Sequence, residues 1–355
     1  MNLKSKEAAI YALALCSLLS LSASLAFIRK PLPVRDEMLS ASRRMAAAVK
    51  SVRDCREERG LGLDPVADIN RTGLIGLETS SITTSLGNLE AKRTTANPNF
   101  AGLITLLLHQ AGVRKGDTIA IGASSSFPAL IIASLCAVEA MDLRGLLICS
   151  LGASQWGAND PEFNWLDIMS CLSNSHFLSD RPIALSVGGE GDVGEDMSAE
   201  GRTLLLRLGR ESGLPFLTEP ELEANVRERL RLLGEAAGGA TIQAFINVGG
   251  GYADLGTDSS ILKIGPGRAV FSGIPPKERR GLIFEMAAQG VAVIHLLYVK
   301  GLCDRFGLPW DPSPLPEPGQ GDIFEAKEVN RQGFLTLAGA YFLLAAAVLV
   351  IAARL

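Results

Sequence analysis

The sequence predicts an α/β domain that is anchored in a membrane at both ends. The 355-residue chain carries 34 basic and 38 acidic residues, yet none falls within residues 8–28 or 333–353. Between these runs, short apolar segments alternate with helical patterns, as in a parallel sheet covered by helices. The formal net charge of −4 excludes a strongly basic nucleic-acid-binding protein. The 47 % hydrophobic content excludes a disordered chain.

The first uncharged run, residues 8–28, follows Lys4 and Lys6 and predicts a transmembrane helix. At about 1.5 Å per residue, a 21-residue helix spans the roughly 30 Å hydrocarbon core. A cleaved signal peptide is the alternative, because small residues occur near the end of the run. Signal peptides, however, have apolar cores of only about 7–15 residues. The last run, residues 333–353, predicts a second span, since a buried helix is seldom uncharged on all faces.

Two spans place both tails on one side of the membrane and the domain on the other. The basic residues between 29 and 59 favour a cytoplasmic domain, whereas Lys4, Lys6 and Arg354 suit cytoplasmic tails. Long domains are translocated with little regard to charge. We expect a bacterial inner (cytoplasmic) membrane protein with an extracytoplasmic domain, although the charge distribution leaves the side open.

The expected organisation follows from these patterns. Residues 36–58 have apolar positions at three- and four-residue steps, which predicts a helix leaving the membrane. Prolines from 309 onwards predict an extended tether. The segments are a short tail at 1–7, a transmembrane helix at 8–28, a juxtamembrane helix at 29–60, an α/β domain at 61–308, a Pro-rich tether at 309–332 and a transmembrane helix at 333–353.

The central domain is predicted to be a three-layer αβα sandwich with a mostly parallel sheet. The predicted strands are residues 118–122, 146–150, 182–187, 241–248 and 291–296. The predicted helices are residues 100–111, 128–140, 198–212, 219–235 and 277–289. Ligands of such folds bind at the carboxyl ends of the strands, so the loops there are the candidate sites.

The six cysteines predict neither a metal site nor a disulfide framework. No CxxC pair occurs, and an odd number of cysteines remains outside the first uncharged run. Cys136 and Cys149 lie in apolar runs and are expected in the core. His109, His176 and His295 lack metal-ligand spacing, and no cofactor is expected. The acidic segment with Asp192, Glu195 and Asp196 is expected to be a surface loop, with cation binding or acid–base chemistry as alternatives.

The first candidate loop contains Ser124, Ser125 and Ser126 between a predicted strand and a helix that begins at Pro128. Hydroxyl and backbone N–H groups at a helix N-terminus suit a carboxylate or phosphate. Simple helix capping by Ser126 is the alternative. Ser125 is a weak candidate nucleophile, because the hydrolase turn G-x-S-x-G is not matched here.

Two further loops follow predicted strands. One carries Ser154, Gln155, Trp156 and Asn159, which suit a polar ligand with an apolar stem or else a capped turn. In the other, Asn247 precedes three consecutive glycines, Gly249, Gly250 and Gly251, which permit close backbone approach to a ligand. A structural turn is the alternative there. Dinucleotide binding is poorly supported, because the G-x-G-x-x-G pattern is incomplete.

Lys92 and Arg93 are the candidate cations for a carboxylate ligand. Arginine binds a carboxylate with two parallel hydrogen bonds, and both residues lie in a polar, hydroxyl-rich stretch. A solvated loop is the alternative.

Taken in order, these segments resemble the bacterial poly-gamma-glutamate system proteins over nearly the whole chain. The matching segments are GLIG at 73–76, ITTSLG at 82–87, EAKRT at 90–94, NPNFA at 97–101, GASSSFPAL at 122–130, GASQWGAN at 152–159 and NVGGG at 247–251. The resemblance implies association with the ligase and membrane subunits that make and export poly-gamma-glutamate. It assigns no catalytic residue.

The expected function is therefore that of a membrane-anchored accessory component of polymer synthesis or export. Its partners would be membrane lipid, the carboxylate-bearing polymer and the other subunits of the system. A Ser-dependent hydrolase or transferase acting on gamma-glutamyl amide bonds, and a nucleotide-binding subunit, are the alternatives.

Overall fold

A computed structural model describes residues 11, 13–22, 29–174, 181–325, 327–329 and 331–354. The chain divides into two compact units. The larger unit extends from Asp36 to Ile323, and the smaller unit combines the described residues that precede and follow it. Each unit is described by itself.

The helices and strands are numbered in chain order. The helices are α1 Arg35–Glu58, α2 Leu89–Thr95, α3 Asn99–Gln110, α4 Pro128–Ala140, α5 Trp165–Asn174, α6 Ala199–Glu211, α7 Leu222–Ala237, α8 Tyr252–Leu255, α9 Leu282–Ala288, α10 Val299–Phe306, α11 Asp322–Glu325 and α12 Arg331–Arg354. The strands are β1 Arg29–Pro31, β2 Thr118–Ser124, β3 Arg144–Ser150, β4 Asn159–Asp160, β5 Phe163–Asn164, β6 Ala184–Ser186, β7 Phe216–Leu217, β8 Ile242–Val248, β9 Gly267–Arg268, β10 Ala292–Leu296 and β11 Lys327–Val329.

A seven-stranded sheet in the order β7-β6-β3-β2-β8-β10-β9 forms the centre of the larger unit. Its strands are parallel except for β9, which runs antiparallel to β10. Ser124 is opposite Ser150, and Val248 is opposite Leu296, so β2, β3, β8 and β10 end at the same edge. The predicted α/β class with a mostly parallel sheet is confirmed.

The inner strands of the sheet lie where the apolar runs of the sequence predicted them. Every residue of β2 is buried, as expected for an inner strand of a sheet covered by helices. Helix α4 is buried from Pro128 through Val138. The predicted helix at 277–289 is shorter, because α9 begins only at Leu282 after a 3-10 turn, Lys277–Arg279. The short helix α2 was not predicted, since its seven mostly polar residues have no clear apolar period.

A disulfide joins Cys55 in α1 to Cys171 in α5, so the prediction that no disulfide framework exists was wrong. The two cysteines are 116 residues apart in sequence, and only the tertiary structure brings their Cα atoms to 5.9 Å. Cys136 and Cys149 are free and buried, as predicted. The bridge covalently joins α1 to α5.

The Pro-rich segment after α10 packs against the larger unit through residues 311–320. The Arg93 guanidinium pairs with Asp311, whose backbone N–H donates to Thr94 Oγ1 at 2.8 Å. Asn99 donates to the carbonyls of Glu317 and Gln320 and accepts from the N–H of Gly319. Over these residues the predicted tether is a strap bound to α2 and α3, because buried polar side chains satisfy its backbone groups.

In the smaller unit, β1 and β11 pair antiparallel, and a helix over residues 13–22 contacts α12. Ser17 Oγ lies 3.0 Å from Tyr341 Oη. Among the described residues, only Gln332–Ile351 is long and apolar enough to cross a membrane. The described helix at 13–22 is too short to span by itself, and residues 8–10, 12 and 23–28 of the first predicted span lie outside the described residues.

Candidate functional site

A cavity of about 890 Å³ opens at the carboxyl edge of the sheet. Its walls come from the loops after β2, β3, β6, β8 and β10, together with α2 and the segment before it. The lining residues used below are Lys92, Ser124, Ser126, Ser150, Ser154, Gly250 and Gly251, with apolar walls from Leu86, Phe127, Leu255 and Trp310.

The first two candidate loops are joined directly by hydrogen bonds. The N–H of Ser125 donates to the carbonyl of Ser150 at 3.2 Å, and the N–H of Ala158 donates to the carbonyl of Ser125 at 2.9 Å. Ser126 Oγ accepts from the N–H of Ser154 at 2.9 Å. Gly157 must remain glycine, because a Cβ there would lie 2.8 Å from the Cα of Ser126.

Lys92 is the most unusual residue of the cavity. Helix α2 positions it, and Asn88 caps that helix by accepting from the N–H of Ala91 at 2.7 Å. The Lys92 residue is only 3 % exposed. Its Nζ donates to the carbonyl of Ser126 and to Ser154 Oγ, the latter at 2.8 Å, and lies 3.8 Å from the centre of the Phe127 ring.

The ammonium group of Lys92 has only neutral partners. It forms no ion pair with a carboxylate among the residues that the structure describes. Burial without a counter-charge lowers the pKa of Lys92 to about 7, because the charged form loses solvation. Near neutral pH the cavity therefore holds a lysine that can exist either as a cation or as a neutral amine.

Helix α4 adds to the positive electrostatic character of this wall. It begins at Pro128, directly after Ser126 and Phe127, and has no side-chain cap at its N-terminus. Ser124 Oγ and Ser126 Oγ lie 2.9 Å apart and line the cavity. A helix N-terminus, a buried lysine and hydroxyl groups are all favourable partners for an anion.

Ser125 does not line this cavity. It is fully buried, and its hydroxyl donates to the carbonyl of Ser150 and contacts the sulfur of Cys149. The middle serine of the first loop therefore fastens β2 to β3. The weak candidate nucleophile of the sequence has no access to a ligand in the cavity.

Arg93 points to the Pro-rich strap, not into the cavity. Its Nε donates to Asp311 Oδ1 at 2.7 Å, and this ion pair raises the pKa of Arg93. Of the two predicted ligand-binding cations, Lys92 therefore lines the cavity, whereas Arg93 binds the strap. Neighbouring residues on a helix face different directions, which a sequence pattern of two adjacent cations does not reveal.

Gln155, Trp156 and Asn159 hold the segment before α2 in place. Gln155 Oε1 accepts from the N–H of Gly87 at 3.0 Å, and the backbone N–H of Trp156 donates to the carbonyl of Leu77 at 2.8 Å. Asn159 is fully buried and bonds the backbone of Leu77 and the hydroxyl of Thr83. These residues shape the wall of the cavity, whereas Ser154 of the same loop lines it.

The glycine loop closes the other side of the cavity. Gly250 and Gly251 line it, and Gly249 has a φ of +79°, which favours glycine. The Asn247 amide donates to the carbonyl of Gly249 at 2.9 Å and contacts His295 Nδ1 at 3.0 Å. Burial lowers the pKa of His295 to about 4. The loop leads into the four-residue helix α8, unlike the long helix of a dinucleotide-binding unit.

Beneath this edge lies a buried charge cluster that the sequence did not reveal. Arg229 of α7 pairs with Asp192 Oδ2 at 2.6 Å and lies 3.8 Å from Asp254 Oδ1. Asp192 is buried, so its assignment to a surface loop was wrong. Burial raises the pKa of Asp254 to about 6, with Arg229 opposing the shift. Asp254 lies next to Gly122, where a Cβ would be 2.5 Å from Asp254 Oδ1.

The histidines and the acidic loop are the remaining candidates from the sequence. Among the described residues, no group of three His, Cys, Asp or Glu side chains could hold a metal ion. His109 is exposed near the end of α3, and His176 lies outside the described residues. Asp196 of the predicted acidic loop lines the cavity, and so do Glu190, Tyr298 and Lys300.

Comparisons with protein-family models, with curated proteins and with solved structures found no match for this chain.

Proposed function

We propose that this protein is a membrane-anchored carboxylate-binding component of poly-gamma-glutamate synthesis or export. The observation that carries the binding proposal is the buried Lys92 ammonium, which faces a large cavity with only neutral partners. The assignment to the polymer system rests on the sequence resemblance, and the partners would be the polymer, membrane lipid and the other subunits.

The chemistry of the cavity suits a ligand that carries one carboxylate on an apolar stem. A buried cation without a counter-ion is costly, and a ligand carboxylate that pairs with it would recover part of that cost. Ser124, Ser126 and Ser154 offer hydroxyl groups to the carboxylate oxygens. Phe127, Leu255 and Trp310 offer apolar contacts to the methylene groups of a glutamyl unit.

We further propose that the domain lies outside the cytoplasm and that both terminal helices enter the membrane. The Cys55–Cys171 disulfide supports an oxidising compartment. The contact between Ser17 and Tyr341 supports pairing of the two helices. A cysteine-reactive, membrane-impermeant reagent applied to intact cells should label an exposed variant such as Lys115→Cys. Labelling only after cell lysis would place the domain inside.

The binding proposal is tested by calorimetry with the full chain in detergent micelles. The probe is gamma-glutamylglutamate, a short fragment with free carboxylates. Lys92→Met should weaken its binding about tenfold or more, because a charge-assisted hydrogen bond is lost. Lys115→Met is the matched control, since Lys115 is exposed and lies just before the amino end of β2, whereas the cavity is at the carboxyl end.

The same titration distinguishes specific binding from general charge attraction. Binding to the wild type should be tighter at pH 6 than at pH 8, because Lys92 is mostly protonated only below a pKa of about 7. Equal loss of affinity in Lys92→Met and Lys115→Met would contradict the proposal. So would wild-type binding that is absent at both pH values.

A further inference from the structure

The contact between Lys92 and Ser154 has the geometry of a nucleophile and its base. Lys92 Nζ and Ser154 Oγ lie 2.8 Å apart, within the hydrogen-bond reach required for proton transfer. Both residues are buried yet line the cavity, so a ligand in the cavity meets them. A serine hydroxyl needs an adjacent base to become a nucleophile.

We propose that Ser154 is an acyl-accepting nucleophile with Lys92 as its general base, acting on an amide or ester of a carboxylic acid. The identity of the acyl group, a gamma-glutamyl unit, rests on the proposed function. The carboxylate that the cavity binds is then the product of hydrolysis, seated where the acyl carbon was attacked.

The reaction has two steps, acylation of Ser154 and hydrolysis of the acyl-serine, and water is the only other reactant. Ser154 Oγ forms a bond to the carbonyl carbon, and the Ser154 proton moves to the neutral amine of Lys92. The carbon–nitrogen bond of the amide breaks, and Lys92 returns the proton to the leaving amine. Water then attacks the acyl-serine by the same route, which releases a carboxylic acid and restores Ser154.

The surroundings of Lys92 supply what a base in this position needs. Burial lowers its pKa to about 7, so a large fraction is neutral near neutral pH. The carbonyl of Ser126 accepts one N–H of Lys92, which holds Nζ beside Ser154 Oγ. In the structure Lys92 donates to Ser154, and once Lys92 has lost a proton the Ser154 hydroxyl can donate to its lone pair across the same contact. The N-terminus of α4, beside Ser126 and Phe127, places positive potential near an oxygen that becomes negative in the transition state.

The two protonation states of Lys92 therefore have opposite functions. The protonated form binds the free carboxylate, and the neutral form activates Ser154. Other charged or titratable groups near Lys92 are Glu90 and Arg93 on its own helix, and Glu190, Asp196, Tyr252, Tyr298 and Lys300 around the cavity. Carboxylate binding should fall as the pH rises through 7, while acylation of Ser154 should increase.

The test uses a fluorophosphonate probe on the full chain in detergent, with the modified residue identified by peptide mass spectrometry. We expect wild-type labelling at Ser154, with a rate that rises about tenfold per pH unit below 7 and levels off above it. Ser154→Ala should not be labelled. Lys92→Met should be labelled at least about 100-fold more slowly and without the pH step. Ser134→Ala is the control, because Ser134 is a buried serine bonded within α4.

Turnover is measured with gamma-glutamyl-p-nitroanilide, whose cleavage releases coloured p-nitroaniline. Release that requires both Ser154 and Lys92 supports the proposal. Labelling at Ser124 or Ser126 instead of Ser154, or no labelling and no release, would overturn it. If gamma-glutamylglutamate still binds in the latter case, carboxylate binding stands and the nucleophile is wrong. If that ligand does not bind while Ser154 is labelled, the proposed function fails and the nucleophile stands.

Discussion

Lys92 Nζ and Ser154 Oγ meet at 2.8 Å although 62 residues separate them in sequence. Helix α2 delivers the lysine, and the loop after β3 delivers the serine. Neither residue forms a recognisable motif with the other along the chain. The parallel sheet places the loops of Ser126 and Ser154 at one edge, and α2 packs against them so that Lys92 contacts both.

The stability of the protein should depend on pH through Lys92. Its folded pKa of about 7 is below the ordinary value of 10.5, so between these values the unfolded chain binds more protons. Stability attributable to Lys92 therefore rises with pH above 7. From pH 7 to pH 9, wild type should gain about 2 kcal/mol relative to Lys92→Met. Unfolding of both proteins in detergent at the two pH values checks this, and a constant difference would contradict it.

Asp254 should give a pH dependence of the opposite sign. Its folded pKa of about 6 is above the ordinary value of 3.8, so the folded protein binds more protons between these values. Stability due to Asp254 is present below about pH 4 and is lost as the pH rises through 6. The melting temperature of wild type relative to Asp254→Asn should fall across this window. A melting-temperature difference between the two proteins that does not change with pH would show that Asp254 remains ionised beside Arg229.

Loss of the disulfide should destabilise the larger unit. The bridge closes a loop with a sequence separation of 116 residues, and such cross-links typically contribute about 2–5 kcal/mol. Cys55→Ser with Cys171→Ser should lower the melting temperature, and adding a reductant to wild type should have the same effect. The control for the reductant is the double variant treated with the same reductant, because it has no disulfide left to reduce. Cys136→Ser would not serve, since Cys136 is buried and its substitution could itself destabilise the protein. A further decrease in that sample would mean that the reductant acts elsewhere.

Removing the Arg93–Asp311 ion pair should release the Pro-rich strap. The pair is mostly buried, and loss of a charge-assisted hydrogen bond of this kind costs about 2 kcal/mol. We expect Arg93→Met and Asp311→Asn each to increase proteolysis within residues 309–320. The double variant should be cleaved at about the same rate as either single variant, because all three lose the same interaction. Affinity for gamma-glutamylglutamate should change much less than in Lys92→Met. A tenfold loss of affinity in Arg93→Met would indicate that Arg93 also binds the ligand, contrary to its contacts in the structure.

The elements of the central sheet were predictable because their signal is local. Strand β2 and helix α4 are mostly apolar and buried along nearly their whole length, and their lengths distinguish the strand from the helix. The convergence of the loops after β2, β3 and β8 also follows from a parallel sheet. By contrast, α2 was missed, since a seven-residue polar helix depends on its cap and on tertiary contacts rather than on an apolar period.

The roles of individual site residues were much less predictable. Three adjacent serines are chemically alike in sequence, yet Ser124 and Ser126 line the cavity while Ser125 bonds the neighbouring strand. Lys92 and Arg93 are adjacent cations, yet one is buried without a counter-ion and the other is paired with Asp311. The direction of each side chain depends on backbone geometry and on packing partners far away in the chain.

The sequence by itself determined the α/β class, the positions of the inner strands and the apolar C-terminal helix. These depend on hydrophobic patterning, which acts over a few neighbouring residues. Only the tertiary structure decided the Cys55–Cys171 bridge, the buried pairing of Asp192 with Arg229 and the meeting of Lys92 with Ser154. Each of these joins residues that are distant in sequence, and their contact exists only once the sheet has brought its loops and helices together.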